Sequence, residues 1–276
     1  MNSQKKMDKQ IAFIGSGNMA ISILSGLVEG GYDQSKLRIS DPDAGQRHRA
    51  EEFGVGLFED NNECINGAEL ILICVKPQIV KKVCLALSST REQLVISIAA
   101  GITTKALSDW LPNQQSIIRC MPNTPALIRE GITGLYANEY STLEQKENAE
   151  QLLGSVGTTL WVTDENKLDV ITAISGSGPA YFFYLMEQMV IAGIELGITE
   201  NEALELTLQT ALGAARLAGR EQQDTPTLLR EKVTSPGGTT QSALQAFEDH
   251  GLDEAFRLGI KNAFIRSKEL SQEFGN

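Results

Sequence analysis

The chain has 276 residues, 42% apolar and 21% charged, enough for a packed core in one large domain or two ordinary ones. Its formal net charge of −11 opposes binding to nucleic acid, whose phosphates need Lys and Arg, and to anionic membranes. Small anionic ligands stay open, because a local site can oppose the global charge.

Four cysteines, at 64, 74, 84 and 120, form no C-x-x-C pair, and His48 and His250 are the only histidines, so no zinc site is expected. Cys74 lies in an apolar run and reads as a buried free thiol. The N-terminal MNSQKKMDKQ is polar, and no apolar run approaches the length of a membrane span. A reduced cytoplasm is the expected location.

Along the first half, short apolar runs alternate with amphipathic ones. QIAFIG (10–15) predicts a strand ending in glycine, and NMAISILSGLVEGG (18–31) a helix with a glycine stop. KLRISD (36–41) is a second strand and DAGQRHRAEEFG (43–54) a helix closed by Gly54. AELILICV (68–75) and QLVISIAA (93–100) are continuous apolar runs, the pattern of strands buried on both faces. QIVKKVCLAL (78–87) and TKALSDWL (104–111) read as helices, and SIIRCMP (116–122) as a strand. GITGLYAN (131–138), a helix near 142–154 and GTTLWVT (157–163) extend the sheet. The alternation predicts an α/β fold with a parallel sheet covered by helices.

Strand signals stop near residue 164. Segment 164–197 is one long apolar helical pattern interrupted by Gly-Ser-Gly-Pro. The next helix opens on a capping box, Thr199 and Glu202, with a stripe of Leu204, Leu208, Ala211, Ala215 and Ala218 whose small members allow close helix packing. TPTLLREKV (225–233) starts with Thr225 as N-cap and Pro226 at the first helical position. SPGGTT follows, and after it come two further helical runs, TQSALQAF and DEAFRLGIKNAFIRSKELSQEF. The expected domains are 1–163, α/β, and 164–276, all-α.

Gly15-x-Gly17-x-x-Ala20 follows the first strand and opens a helix. Gly15 permits the tight turn, Gly17 lets a pyrophosphate approach, Ala20 allows helix–strand packing, and Asn18 and Met19 lie between them. Asp41, ending the second strand, is placed to bond the adenosine ribose 2′-OH; alternatively it caps the next helix, with Pro42 at its first position. CVKP, SIAAG and RCMPNTPA follow the ends of further strands. They give a nicotinamide pocket bordered by Val75, Lys76, Pro77, Ala99, Ala100, Met121, Pro122 and Asn123. The acidic residues Glu221, Asp224 and Glu231 read as a solvated face, and His48 and His250 as surface residues. Phe182, Phe183 and Tyr184 read as core or dimer packing.

IAFIGSGNMA, VKP, SIAAG, RCMPNTPA, SGSGPAYFF and SPGGTTQSAL stand in the order seen in pyrroline-5-carboxylate reductases, which this chain resembles from about residue 10 to 270. The resemblance implies an N-terminal Rossmann domain and a C-terminal helical dimerisation domain. It implies reduction of L-1-pyrroline-5-carboxylate to proline by NADPH or NADH, in homodimers that often assemble into decamers. Val233, Ser235, Gly237, Gly238, Thr239 and Thr240 match the family's substrate loop, and Thr240 the threonine that hydrogen-bonds the ring nitrogen. Physically, uncovered glycine N–H groups and the N-terminus of the helix from about Thr240 would form a nest for the substrate carboxylate. The alternative is an ordinary turn with Thr239 or Thr240 as N-cap. Asn61 matches a family asparagine at the adenosine ribose or its phosphate, and Arg47 is a second candidate there. Many members carry Ser or Thr in place of Asp41; a carboxylate repels a 2′-phosphate, which leaves NADH open. A β-hydroxyacid dehydrogenase would need a lysine that 175–192 lacks. A non-catalytic nucleotide sensor would not need the Gly, Asn and Thr residues intact in these loops.

Overall fold

Alternate residues of a strand point to opposite faces, so an uninterrupted apolar run needs cover on both sides. In the computed structural model, which describes residues 7–112, 114–220 and 224–275, that demand is met by one eight-stranded sheet. Its strands are β1 (Ile11–Ile14), β2 (Leu37–Ser40), β3 (Gly56–Phe58), β4 (Leu70–Ile73), β5 (Leu94–Ser97), β6 (Ser116–Met121), β7 (Gly131–Ala137) and β8 (Gly157–Trp161). The spatial order is β3-β2-β1-β4-β5-β6-β7-β8. Every pairing is parallel except β6 with β7.

The central strands divide their residues between two cores. Phe13, Leu72, Ile96 and Ile118 pack on one face with Ile23 and Leu24 of α1 (Asn18–Glu29) and Leu152 and Leu153 of α6 (Leu143–Gly154). Ile14, Ile71, Val95 and Ile117 pack on the other with Cys64 and Ile65 of α3 (Asn61–Ile65), Val80 and Cys84 of α4 (Pro77–Ala86) and Leu107 of α5 (Thr104–Trp110). The predicted 43–54 helix is shorter: α2 (Ala44–His48) is followed by a separate turn of 3₁₀ helix that Gly54 closes at φ 65°. Strand β3 and helix α3 were not expected.

The first compact unit runs through Ser177 and takes back the chain from Ala263; the second is Gly178–Asn262. This division differs from the change of pattern at 163/164, and the reason is packing. Helix α7 (Lys167–Ile171) lies on the sheet, where Gly134 of β7 has no side chain. A Cβ at Gly134 would stand 2.6 Å from Ile171 Cδ1 and 3.1 Å from Leu168 Cδ2. The helical path then widens into a π turn, Thr172–Gly176, with the Ser177 N–H donating to the Thr172 carbonyl at 2.8 Å.

The second unit consists of α8 (Gly178–Glu195), α9 (Glu200–Arg220), α10 (Pro226–Lys232), α11 (Thr239–Asp249) and the first part of α12 (Leu252–Phe274). Both halves of the expected Thr199–Glu202 capping box form, at 2.8 and 3.3 Å. Thr225 caps α10 by accepting from the Leu228 N–H at 3.3 Å. The predicted stripe on α9 does not face inward. Ala203 and Thr207 are its buried residues, Gly193 of α8 approaches Ala203, and Leu204 and Leu208 stay about half exposed.

Candidate active site

Strand register brings the sequence-predicted loops to one edge. Ile14 lies opposite Ser40 on one side and Ile73 on the other, Ile73 opposite Ser97, and Ser97 opposite Arg119. The segments that follow, at 15–20, 41, 74–77, 98–101 and 121–123, therefore leave the sheet along the same edge. Strand order reverses between β1 and β4, which opens a crevice between the connections on either side.

The two glycines of the first turn differ in what requires them. Gly15 has φ 95°, and a Cβ there would stand 2.8 Å from Val75 Cγ1 and 3.2 Å from the Cys74 carbonyl. Gly17 has φ −66°, and the nearest atom to a Cβ is the Cys74 oxygen at 4.0 Å. The protein's own packing thus demands glycine at 15 but not at 17. Gly17 and Asn18 are exposed, Met19 is half-buried and Ala20 is fully buried in the core. The first-turn N–H groups of Asn18, Met19 and Ala20 have no helical carbonyl partner, and Gly17 and Asn18 at the start of this turn are exposed. This cradle fits a diphosphate.

At the end of β2, Asp41 is turned toward the glycine turn. Its Oδ2 accepts from the Ser16 N–H and hydroxyl, both at 3.0 Å, and its Oδ1 from the Asp43 N–H at 3.0 Å. The alternative of Asp41 as a helix cap fails, because Asp43 caps α2 through the Gln46 N–H at 3.0 Å. Asn61 joins this corner by accepting from the Ser40 hydroxyl at 2.8 Å. The Arg47 guanidinium donates to the Asp41 carbonyl at 2.5 Å and faces Glu59 at 3.6 Å. Arg49, which sequence reasoning passed over, donates to Asn18 Oδ1 at 2.8 Å.

On the side of the edge expected to take a nicotinamide, Val75 and Pro77 are half-buried, Lys76 is exposed, Ala99 is buried and Ala100 half-buried. Met121 is half-buried, while Pro122 and Asn123 are buried. The Asn123 side chain is engaged by the fold, accepting from the Ile132 N–H at 2.9 Å. Gly176 was missed as a neighbour of this edge: a Cβ on it would stand 2.5 Å from Met121 Cε. Also missed was a part-buried ion pair, the buried Arg119 with the half-buried Glu165 at 3.0 Å. Glu165 also accepts from the Thr104 N–H and hydroxyl, at 2.8 and 2.6 Å. A lone arginine inside the apolar run of β6 was the available signal.

In the second unit, Val233 ends α10 and is exposed, as is Ser235. Gly237 is left-handed at φ 74°, and Gly238 rather than either threonine is the N-cap of α11. Thr239 is exposed and Thr240 half-buried in the first helical turn. The expectation of uncovered glycine amides needs correction. The Gly238 N–H donates to the Ser235 carbonyl at 3.0 Å and the Gly237 N–H to Gln241 Oε1 at 2.5 Å. The donors left over are the N–H groups of Thr239, Thr240 and Gln241, which have no helical partner.

Comparison with known proteins decides the kinship. Residues 165–270 match the family profile for pyrroline-5-carboxylate reductase dimerisation, and residues 10–101 that of the coenzyme F420-dependent NADP oxidoreductases. The pyrroline-5-carboxylate reductase of Pseudomonas aeruginosa is 47% identical over 96% of this chain and 98% of its own length. The Haemophilus influenzae enzyme is 41% identical over 96% and 99%. This chain belongs to the pyrroline-5-carboxylate reductase family. The reductase structure from Coxiella burnetii superposes with a TM-score of 0.89 at 41% identity, covering 96% of this chain and 99% of that one. The Plasmodium falciparum structure, which holds NADP, gives 0.85 at 25% identity, covering 96% and 98%.

A reductase of this family uses NAD or NADP and carries a dimerisation region, and the helical unit here has the surface for one. Phe182, Phe183, Tyr184 and Leu196 of α8 and its end are more than 60% exposed. The core alternative for the three aromatics therefore falls. His48 pairs with Glu51 on the surface at 2.8 Å, and the exposed His250 donates from Nδ1 to the Ala246 carbonyl at 2.7 Å. Asp224 pairs with Lys232 and Glu231 is exposed, while Glu221 lies outside the described residues. All four cysteines are free: three are buried, and Cys74 is half-buried rather than buried. Burial pushes the Cys64 and Cys84 thiols up to about 12. No helix among the described residues is long and apolar enough to cross a membrane, and no cluster of metal-ligating side chains forms among them.

Proposed function

We propose that this chain reduces L-1-pyrroline-5-carboxylate to L-proline at the expense of NADPH or NADH, as its relatives' name implies. The observation that supports it is the full-length likeness to enzymes of that name, with both the dinucleotide turn and the Gly-Gly-Thr-Thr loop present. One hydride and one proton convert the C=N bond to CH–NH, and the dinucleotide supplies the hydride when bound. The segments at 15–20, 41, 61, 75–77, 99–100 and 121–123 would hold it. The first-turn amides of α1 would receive its diphosphate, and Asp41, Asn61 and Arg47 would face its adenosine ribose.

The chain's remaining work is on the imine acid. A protonated cyclic imine is already a strong electrophile, so no strong general acid is needed, and the loop 233–240 contains no His or Lys. In this reading the free amides of α11 hold the carboxylate, and the Thr240 hydroxyl oxygen accepts from the protonated ring nitrogen. Holding the imine in place is the larger part of the rate gain. We further propose that residues 164–276 form the dimerisation and substrate-binding part, that dimers assemble into decamers, and that the enzyme works in a reducing cytoplasm, with which four free thiols agree. Oxidation of NADPH on addition of pyrroline-5-carboxylate, with proline as the product, is the test. Folded protein that binds NADPH yet makes no proline would leave only a nucleotide sensor.

A further inference from the structure

The entry into α11 is built from two interlocking devices. Ser235, Pro236, Gly237 and Gly238 form a hydrogen-bonded turn with proline second and a left-handed glycine third, the type II pattern. That turn runs straight into the helix, with Gly238 as N-cap and no side chain capping it. Gln241 then reaches back. A glutamine at the third helical position commonly accepts from the N-cap amide. Here the Ser235 carbonyl already holds that amide, and Gln241 Oε1 takes the Gly237 N–H instead, at 2.5 Å. The side chain thereby straps the turn onto the helix while its own backbone N–H stays among the three unpartnered donors.

We infer that Gln241 is a positioning residue of the substrate loop: by holding the Gly237 N–H it fixes the direction of the amides that receive the imine's carboxylate. The inference rests on the proposed function, and Gln241 itself touches none of the reacting atoms. Its neutrality is part of the argument. A carboxylate at 241 would accept more strongly and would suit the positive end of the helix. It would also set a negative charge beside the substrate's own. Stability and substrate affinity thus pull this position in opposite directions.

The experiment compares wild type, Gln241→Ala and Gln241→Glu in full-length protein, by steady-state kinetics and thermal unfolding. Wild-type turnover of pyrroline-5-carboxylate comes first; its absence overturns the function and this inference with it. With turnover present, loss of the strap in Gln241→Ala should raise KM for the imine about fivefold with kcat within about twofold, the size of one hydrogen bond. Gln241→Glu should keep Tm at or above wild type yet raise that KM at least about tenfold through charge repulsion. KM for NADPH should not change in either. A wild-type KM in Gln241→Glu would make the residue a mere helix cap and overturn the inference while sparing the function. So would an unchanged KM in Gln241→Ala.

Discussion

Glycine turns look alike in a sequence, and the structure separates them by what each would collide with. Gly15→Ala forces an L side chain to φ 95° against the Cys74 backbone, so it should lower Tm as well as cofactor affinity. Gly17→Ala meets nothing closer than 4.0 Å and should fold with a Tm near wild type while losing NADPH affinity. Thermal unfolding beside a fluorescence titration of NADPH distinguishes the two, and equal Tm losses would contradict this reading. At Asp41 the question is which coenzyme the corner tolerates. The carboxylate is anchored by three donors from Ser16 and Asp43. Asp41→Ser should shift the ratio of kcat/KM values toward NADPH by removing repulsion from a 2′-phosphate. A ratio unmoved by the change would remove Asp41 from coenzyme choice. Thr240→Ala should lower kcat by about ten- to a hundredfold, the worth of a hydrogen bond to a charged group, without lowering Tm.

Elements differ in how openly their sequences announce them. The capping box of α9 was readable as Thr-x-x-Glu, and its carboxylate has a testable pH signature. The Thr199 hydroxyl and N–H hold the Glu202 carboxyl below the ordinary glutamate range. A depressed folded value means stability that is present above the unfolded value and lost as pH falls through the folded one. The Tm advantage of wild type over Glu202→Gln at neutral pH should therefore vanish in acid; an advantage constant with pH would show the bond does not depend on charge. The buried strands were legible because 70–75 is apolar without interruption and 94–100 is broken only by Ser97. Strand β3 and helix α3 were not, being three and five residues long, too short for any period to show. The reversal of β7 escaped because hydropathy carries no strand direction. The π turn escaped because Gly-Ser-Gly marks a break without saying that the helical path widens and continues. At the candidate site, the loop positions followed from the strand ends. The Arg119–Glu165 pair did not, since only the folded backbone brings those residues together, and the strap from Gln241 did not, since a capping pattern would aim that side chain at the Gly238 amide rather than at Gly237.

Across the whole molecule, the helical unit carries more apolar surface than a lone chain keeps in water. Phe182, Phe183, Tyr184, Leu196, Leu206 and Val233 are each more than 60% exposed. The family profile for dimerisation covers these residues, so the exposed face of α8 is the place to cut the oligomer. Phe183→Glu should shift sedimentation velocity toward a smaller species and lower Tm, because an unpaired charge in an apolar interface opposes its closure. An unchanged sedimentation coefficient would place the interface elsewhere. The strand-to-helix change at 163/164 and the compact division at 177/178 describe different things, residue pattern and packing, and both are needed to read this chain.

The last helix gives the molecule an order of assembly. Residues from Ala263 onward belong to the first unit: Ser267 donates to the buried Asp169 at 2.7 Å, and Leu270 lies where a Cβ on Gly101 would touch it at 3.2 Å. During synthesis the sheet emerges from the ribosome long before the segment that closes it, with the entire second unit translated in between. The contacts of the last helix with Asp169 and Gly101 can form only after the whole second unit has been translated.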